Sequence, residues 1–448
     1  MPRTVIRARR LFDSCSPSGS HEHMAVVVEN GRITDITQAQ DLGSDLGDAT
    51  VYDYEDGCLL PGFVDSHVHL MYGTAGRMGG PRSYHHVNDE DSDSLMLLRC
   101  VRNAYIHLLA GVTTMRDCGA RNRVTFDFKA GLKADLFGLA PNVLVSGRSL
   151  THTGGHFYFC GEEADGPDEC RKAVRRLVKE GADFIKVMGS GGGTYITQPR
   201  LPGFTVEELK VIQDEARRND KRTTIHVLAT QSIVNAVEAR FDCLEHVEFV
   251  EPDSSRQYHP EIARMIADSG CWVSPTIQTG FRGYERLSHK RESEGLMPGE
   301  EASYLALKAK QETNLHTCGE LHRMGVRMIV GTDAIGDFGD YSPGPELMVK
   351  AGMSAGEVLV AATRHGAEAL DLSDEVGTIE RGKAADLVVV EGNPTTDIRA
   401  IRNVKQVFRR GTAVPMDASL LFYRGPGAIR GRRRLILPQP IQKALLDR

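Results

Sequence analysis

The chain's nine cysteines include no C-x-x-C pair and lie scattered over 448 residues. That argues against a disulfide framework and for free, buried thiols in a reducing compartment. No apolar run is long enough to cross a bilayer. The start, MPRTVIRARRLFDS, carries arginines but lacks the apolar core of a secretory signal. Cytoplasm is the expected location, with no membrane partner. The formal net charge is -6, which speaks against a dedicated nucleic-acid binder. The basic stretch GAIRGRRRLILPQPIQKALLDR at the end has no aromatics between its arginines, so it reads as a surface tail or oligomer contact. There is no internal repeat, and the acidic run NDEDSDS reads as a solvated loop. What remains is ordinary: 41% hydrophobic and 25% charged residues, a soluble globular composition. The length suits one large barrel plus a smaller domain.

The first part reads as short strands. MAVVVENGRITDI has two apolar runs around Asn30-Gly31, the strongest two-residue hairpin signal. From Pro61 onward, β-rich runs alternate with helical stretches. The runs are GFVDSHVHL, VTTMRDCG, NVLVSG, DFIKVMGS, TTIHVLA, CLEHVE, CWVSPTI and RMIVGTDA. Segments such as DECRKAVRRLVKEGA, with Cys170, Val174, Leu177 and Val178 at helical spacing, lie between them. Eight strands, most followed by a helix, are what a (β/α)8 TIM barrel requires. After about residue 373 the pattern returns to β-ribbons. The expected plan is a small β-sandwich made by both chain ends (1–59 and 374–448, the latter including the tail) around a metal-binding barrel (60–373). Two long loops, 71–94 and 278–310, are expected at the barrel's C-terminal face.

That face is where the chemistry gathers. In LLPGFVDSHVHL, His67 and His69 are two apart, so on a strand both project to the same side and can serve one metal ion. Later strands carry Lys186, His226, His246 and, after the eighth, Asp333. Each alone has a dull explanation, such as a satisfied core histidine or a helix-capping aspartate. Four histidines, a lysine and an aspartate converging on one barrel mouth do not.

With LLPGFVDSHVHL, GVTTMRDCG, TGGH, FIKVMGSGG, LEHVE, GTDA and GTIERGKAADLVVVEGNP on the page, the chain resembles the amidohydrolase superfamily. More narrowly, it is similar to the branch of imidazolonepropionase-like proteins and metal-dependent prolidases. The resemblance implies two divalent metal ions, zinc by preference. His67, His69 and Asp333 would hold the more buried ion and His226 and His246 the other. Lys186, N-carboxylated, would bridge both. It further implies a metal-bridging hydroxide that attacks an amide-type carbonyl of a small-molecule substrate (peptide, N-acyl amino acid, amide or carbamate), with Asp333 as general base and acid. His156, in SLTHTGGHFYFCG, would bond the carbonyl oxygen, while Gly154 and Gly155 would let the backbone approach closely. His152 is a bystander or substrate contact. A homo-oligomer is also implied.

The match departs at Leu228. In prolidase-like relatives, a tyrosine at this place helps bind the substrate's carboxylate, which leucine cannot do. Tyr195, Arg200, Tyr284 or Arg82 are the candidates to supply polar substrate contacts instead. His21 and His23 share the His-x-His spacing but have no partners at strand ends, and read as an exposed loop. Two other functions compete. One is a deaminase or cyclic-amide hydrolase on the same fold, often with one metal and a glutamate acid; Glu245 and Glu248 flank His246, but Lys186 argues against the one-metal form. The other is a non-catalytic scaffold, which would have lost ligands; here all six are in place.

Overall fold

The computed structural model describes residues 3–43, 46–73 and 91–416. Chain order begins with β1 (Thr4–Phe12), β2 (Ser20–Glu29), β3 (Arg32–Gln38) and β4 (Thr50–Pro61). It continues with β5 (Phe63–Val68), β6 (Val112–Asp117), β7 (Asn142–Val145) and two short strands, β8 (Leu150–Thr151) and β9 (Glu162–Glu163). Next come β10 (Phe184–Met188), β11 (Arg222–Ala229), β12 (Cys243–Val250), β13 (Trp272–Ser274) and β14 (Arg327–Met328). The last three are β15 (Leu387–Glu391), β16 (Val404–Arg409) and β17 (Thr412–Ala413).

The chain ends meet in one mixed sheet of seven strands, ordered β17-β16-β15-β4-β1-β2-β3. The expected sandwich of two layers is instead a single hydrogen-bonded sheet that curls over itself. The Ala385 N–H donates to Gly31 O at 2.9 Å, and Ile33 N–H to Lys383 O at 2.9 Å, so the β2–β3 turn touches residues that lead into the far strands. A curled sheet buries its apolar face without a second layer. Ile6, Val28, Ile33, Leu59, Leu387 and Phe408 share that core. The turn itself is as expected: Asn30 and Gly31 have φ of 51° and 79°, the left-handed pair of a type I′ hairpin. His21 and His23 are exposed but lie on β2 rather than in a loop, and His21 Nε2 pairs with Asp13 at 3.0 Å.

All eight expected central strands form, as β5–β7 and β10–β14. They pair in parallel within a three-stranded sheet, β5-β6-β7, and a seven-stranded one, β14-β13-β12-β11-β10-β8-β9. Hydrogen bonds cross between the sheets at both ends. Asp183 N–H donates to Val145 O at 2.9 Å, beside β7 and β10, and Ser66 N–H to Val330 O at 2.9 Å, beside β5 and β14. The strands are buried on both faces, as a parallel sheet under helices must be.

Helices follow where capping and periodicity asked for them. The helix Gly166–Glu180 buries Cys170, Ala173, Val174 and Leu177, and ends at Gly181 in the left-handed region. The helix Val206–Arg218 opens on a capping box between Thr205 and Glu208. The stretch 278–310, expected as a loop, is largely helical: Phe281–Ser293 and Pro298–Arg323. Pro298 at the first turn, with Glu300 accepting from Met297 N–H at 3.0 Å, starts the second of these. Its faces are charged nearly all round, so apolar spacing did not flag it. Most of the first long loop, with Arg82, and the basic tail fall outside the described residues. Among the described residues, no helix is long and apolar enough to cross a membrane. All nine cysteines are free, eight of them buried.

One buried ion pair fastens the curled sheet to the parallel strands. Arg409 on β16 pairs with Asp386, which also accepts from Asn142 Nδ2 at 3.2 Å, and the Arg409 guanidinium donates to Ala140 O at 2.7 Å. Asp386→Ala would leave that guanidinium buried without its carboxylate, at a cost of about 3–5 kcal/mol. We expect a lower urea midpoint; a midpoint equal to the parent's would mean the pair does not secure this junction.

Candidate metal centre

Strand ends bring the expected residues together. His67 lies in β5 and His69 just beyond it; Lys186 lies in β10, His226 in β11, His246 in β12, and Asp333 five residues past β14. His67 Nε2 and His69 Nε2 lie 3.4 and 3.5 Å from Asp333 Oδ1. These three side chains offer ligand atoms all within 4.8 Å of one another. The His226 and His246 rings are 4.5 Å apart, and His246 is 5.3 Å from His67. His156 joins them, 4.5 Å from His226.

Each ring is held by one nitrogen, leaving the other free. His67 Nδ1 donates to Glu245 Oε2 at 2.8 Å, and His69 Nδ1 to Gly119 O at 3.0 Å. His226 Nε2 donates to Gly191 O at 3.1 Å. His246 Nδ1 meets Thr276 Oγ1 at 2.6 Å, and His156 Nδ1 meets Thr194 Oγ1 at 2.7 Å. Such outer partners fix the tautomer and orientation of metal-binding imidazoles. Glu245 is itself gripped by Arg116 Nη2 at 2.6 Å and by Thr224 Oγ1. Asp65 accepts from His67 N, Thr332 N, Thr332 Oγ1 and His107 Nε2, at 3.1, 3.0, 2.6 and 2.7 Å. It thereby ties the end of β5 to the segment that carries Asp333.

Neighbours on a strand ordinarily point to opposite faces. Glu245 and His246 both reach His67, because the backbone turns left-handed just there: φ is 71° at His246 and 57° at Val247. Asp333 is also left-handed, at φ 54°. Left-handed non-glycine residues are uncommon, and a β-branched one such as Val247 is an outlier. Close packing adds a second constraint. A Cβ on Gly192 would meet His156 Nε2 at 2.5 Å, so only glycine lets this loop lie on the ring. Gly155 is close only to its own loop, against Thr151 and His152.

The charge states follow from burial. Burial holds the pKa values of His69, His226 and His246 well below normal, with neighbouring histidines adding to it, and takes His156 down to about 3. All four are neutral at pH 7, the form that binds metal. Burial alone would raise Glu245, but the charges of His67 and Arg116 overcome it and keep the carboxylate ionised. Burial also raises Asp333, against the pull of His67 and Lys186. Lys186 is fully buried, and its Nζ has no hydrogen-bond partner among the described residues. A bare buried ammonium is costly, and the carboxylates near it, Glu245 and Asp333, already face Arg116 and the His67–His69 pair. An amine converted to a carbamate would carry the acceptor oxygens that cations want. The residues therefore fit two divalent ions with a bridging modified lysine.

The other candidates sit farther out. His152 Nδ1 meets Thr153 O at 3.1 Å. Tyr195 is 68% exposed. Arg200 Nε donates to Gln198 within its own loop, and Tyr284 stacks on Tyr304. None makes a hydrogen bond or ring contact with the histidine cluster. Leu228 is buried, and its N–H donates to Ser190 Oγ. The sequence reading missed Arg116, Thr276 and Thr194, and weighed Glu245 only as an acid. Glu245 stands beside a ligand in LEHVE, which was signal enough; the others lie on different strands or loops and have none.

A family model described as the Amidohydrolase family matches residues 58–414. Ochratoxinase from Aspergillus niger is 27% identical over 409 residues, spanning 82% of this chain and 76% of its own. Among solved structures, a Xaa-Pro dipeptidase with methionine bound in its active site aligns with a TM-score of 0.77 at 25% identity, covering 92% of this chain and 99% of the other. A prolidase complexed with N-methylphosphonate-L-proline aligns with a TM-score of 0.77 at 26% identity, with the same coverage.

The depressed histidines make a stability prediction for the metal-free protein. Unfolded, His156 takes a proton near pH 6.5; folded, only near pH 3. The unfolded state therefore binds more protons between those values, and folding stability is lost as pH falls through that window. His69, His226 and His246 act in the same direction. Melting temperature after chelation should fall steadily from pH 7 to pH 5, with a shallower slope for His156→Gln. Parallel slopes for parent and variant would show that His156 is not held neutral.

Proposed function

The chain belongs to the amidohydrolase family and is an enzyme that hydrolyses C–N bonds; from that premise we propose that it uses a two-metal centre on an amide-type substrate. In this reading β5–β7 and β10–β14 are the eight staves of a closed barrel, supported by the hydrogen bonds at both seams. His67, His69 and Asp333 would hold one ion, His226 and His246 the other, and Lys186, if carboxylated, would serve both. The observation that carries it is Lys186: a buried amine without a partner, set among neutral histidines.

When bound, the two ions lower the pKa of water and polarise the substrate carbonyl. The chain's own residues do the rest. Asp333 takes the proton of the attacking water and passes it to the leaving nitrogen. Its Oδ1 stands 3.4 and 3.5 Å from His67 and His69, at the place where that proton is released. His156, neutral and fixed through Nδ1 by Thr194, presents its other nitrogen to the carbonyl oxygen. The segment Gly191–Thr194 covers the His156–His226 side and limits water there.

The substrate class is an acyl group on an amine, as in a peptide, an N-acyl amino acid or a related amide or carbamate. The relatives support this, since one acts as a dipeptidase and another takes a proline phosphonate. The one-metal deaminase reading finds both of its candidate acids engaged: Glu245 by Arg116, Thr224 and His67, and Glu248 by Lys310 and Arg256.

Elemental analysis of freshly purified protein should find about two metals per chain, with a sharp loss in Lys186→Ala and no hydrolysis of N-acyl amino acids, dipeptides or aryl amides by that variant. One metal or none in the parent, unchanged by the substitution, would sink the two-metal reading. Glu245→Gln should weaken metal binding by roughly 10- to 100-fold, the usual effect of losing such an outer partner. Unaltered affinity in a metal-competition titration would show that His67 needs no help from Glu245.

A further inference from the structure

One helix face touches the chain on both sides of His67 and His69. The helix Asp93–Leu109 lies between β5 and β6 in sequence, and its Asn103 and His107 are fully buried. Four residues apart, they share that face. Both amide hydrogens of Asn103 are spent on the stretch just after His69, Nδ2 donating to Leu70 O and Tyr72 O at 2.8 Å each. His107 Nε2 donates at 2.7 Å to Oδ2 of Asp65, two residues before His67. Packing alone does not ask for this pair. Their buried neighbours on the helix are Met96, Cys100, Ala104 and Leu108, and a polar side chain costs stability to bury unless it is bonded.

His107 also has a fixed tautomer. The Gly339 N–H donates to its Nδ1 at 2.9 Å. A nitrogen that accepts must keep its lone pair, so the ring's proton is on Nε2, where Asp65 takes it. The ring lies edge-on to Phe338 and Tyr341, with centroids 6.0 and 6.2 Å away. Those residues follow Asp333, and Asp65 binds Thr332 just before it, accepting from N at 3.0 Å and from Oγ1 at 2.6 Å. The Asp333 N–H in turn donates to His67 O at 2.7 Å. One neutral imidazole therefore joins the end of β5 to the chain on both sides of Asp333. We propose that His107 and Asn103 are positioning residues for the group His67, His69 and Asp333, fixing the spacing of three ligand atoms that come from two separate stretches of chain. This rests on the two-metal reading above and extends it to residues outside the ligand set.

The first readout needs no added metal. In protein labelled with nitrogen-15 histidine, the His107 ring, assigned by its loss in His107→Gln, should show a protonated Nε2 and a bare Nδ1 at neutral pH. A proton on Nδ1 would overturn the proposal. The second readout is zinc affinity by competition titration. His107→Leu removes both bonds and should weaken one of the two ions by roughly 10- to 100-fold. His107→Gln, which can still donate to Asp65, should hold that ion more tightly than His107→Leu does. Asn103→Leu should loosen the same ion, and it carries the comparison if His107→Leu does not fold. Asp386→Ala, which unsettles the junction with the curled sheet, should bind zinc as the parent does. The proposal fails if zinc affinity is unchanged in every folded variant, if His107→Gln is as weak as His107→Leu, or if Asp386→Ala shows an equal loss; the last two would reduce His107 to bulk or to general stability. A parent that binds no zinc would overturn the two-metal reading and this proposal together, whereas two zinc ions held equally well by parent and variants would overturn this proposal alone.

Discussion

A fully buried lysine amine with no hydrogen-bond partner among the described residues is the constraint from which the rest of this centre follows. β10 places Lys186 opposite Thr224 of β11, with its neighbour in register with Ile225, and Met188 beside His226. Water is excluded, so the amine's charge cannot be solvated. Beneath it the nearby carboxylate is already spent, because Glu245 pairs with Arg116 and accepts from His67. The other neighbours are Asp333 and imidazoles that burial keeps neutral. Such an environment disfavours a bare ammonium, and under the two-metal reading a carbamate beside two cations would relieve it.

The outer partners explain why the inner nitrogens stay available. Every inner histidine spends one ring nitrogen on a fixed oxygen, so the other has no choice of direction. Fixing those oxygens requires backbone where regular strand geometry would fail. His246, Val247 and Asp333 lie in the left-handed region, at about 1–3 kcal/mol each. The buried parallel strands and the Asp65 network hold that strain in place. A centre this constrained is rigid before any ligand arrives, so its selectivity has to come from elsewhere.

How much was legible follows from how local each signal is. His67 and His69 were readable because two residues of one strand share a face. His226 and His246 were readable because each sits inside an apolar strand run, and Asp333 because it follows one. The eight central strands and the Asn30-Gly31 turn needed only nearby residues to declare themselves. Arg116, Thr276 and Thr194 were silent, since their roles exist only after separate strands and loops assemble. The helix Pro298–Arg323 was silent for another reason: its charges spread round the cylinder, so no apolar stripe marks it. Both chain ends were legible as strands, but run length does not say whether a sheet splits into layers or curls, and this one curls.

That silent helix carries Lys310, and the division of labour is physical. Strand ends give positional precision, so they hold the residues whose geometry must not vary. A helix inserted after β13 reaches over the same end of the strands with a long side chain, and it can be altered without moving a ligand. Glu248 joins the two systems, because it belongs to β12 yet takes its counter-ions from the helix and from the turn after the strand. The helix residue can therefore change while His246, two positions from Glu248, stays where β12 and Thr276 hold it.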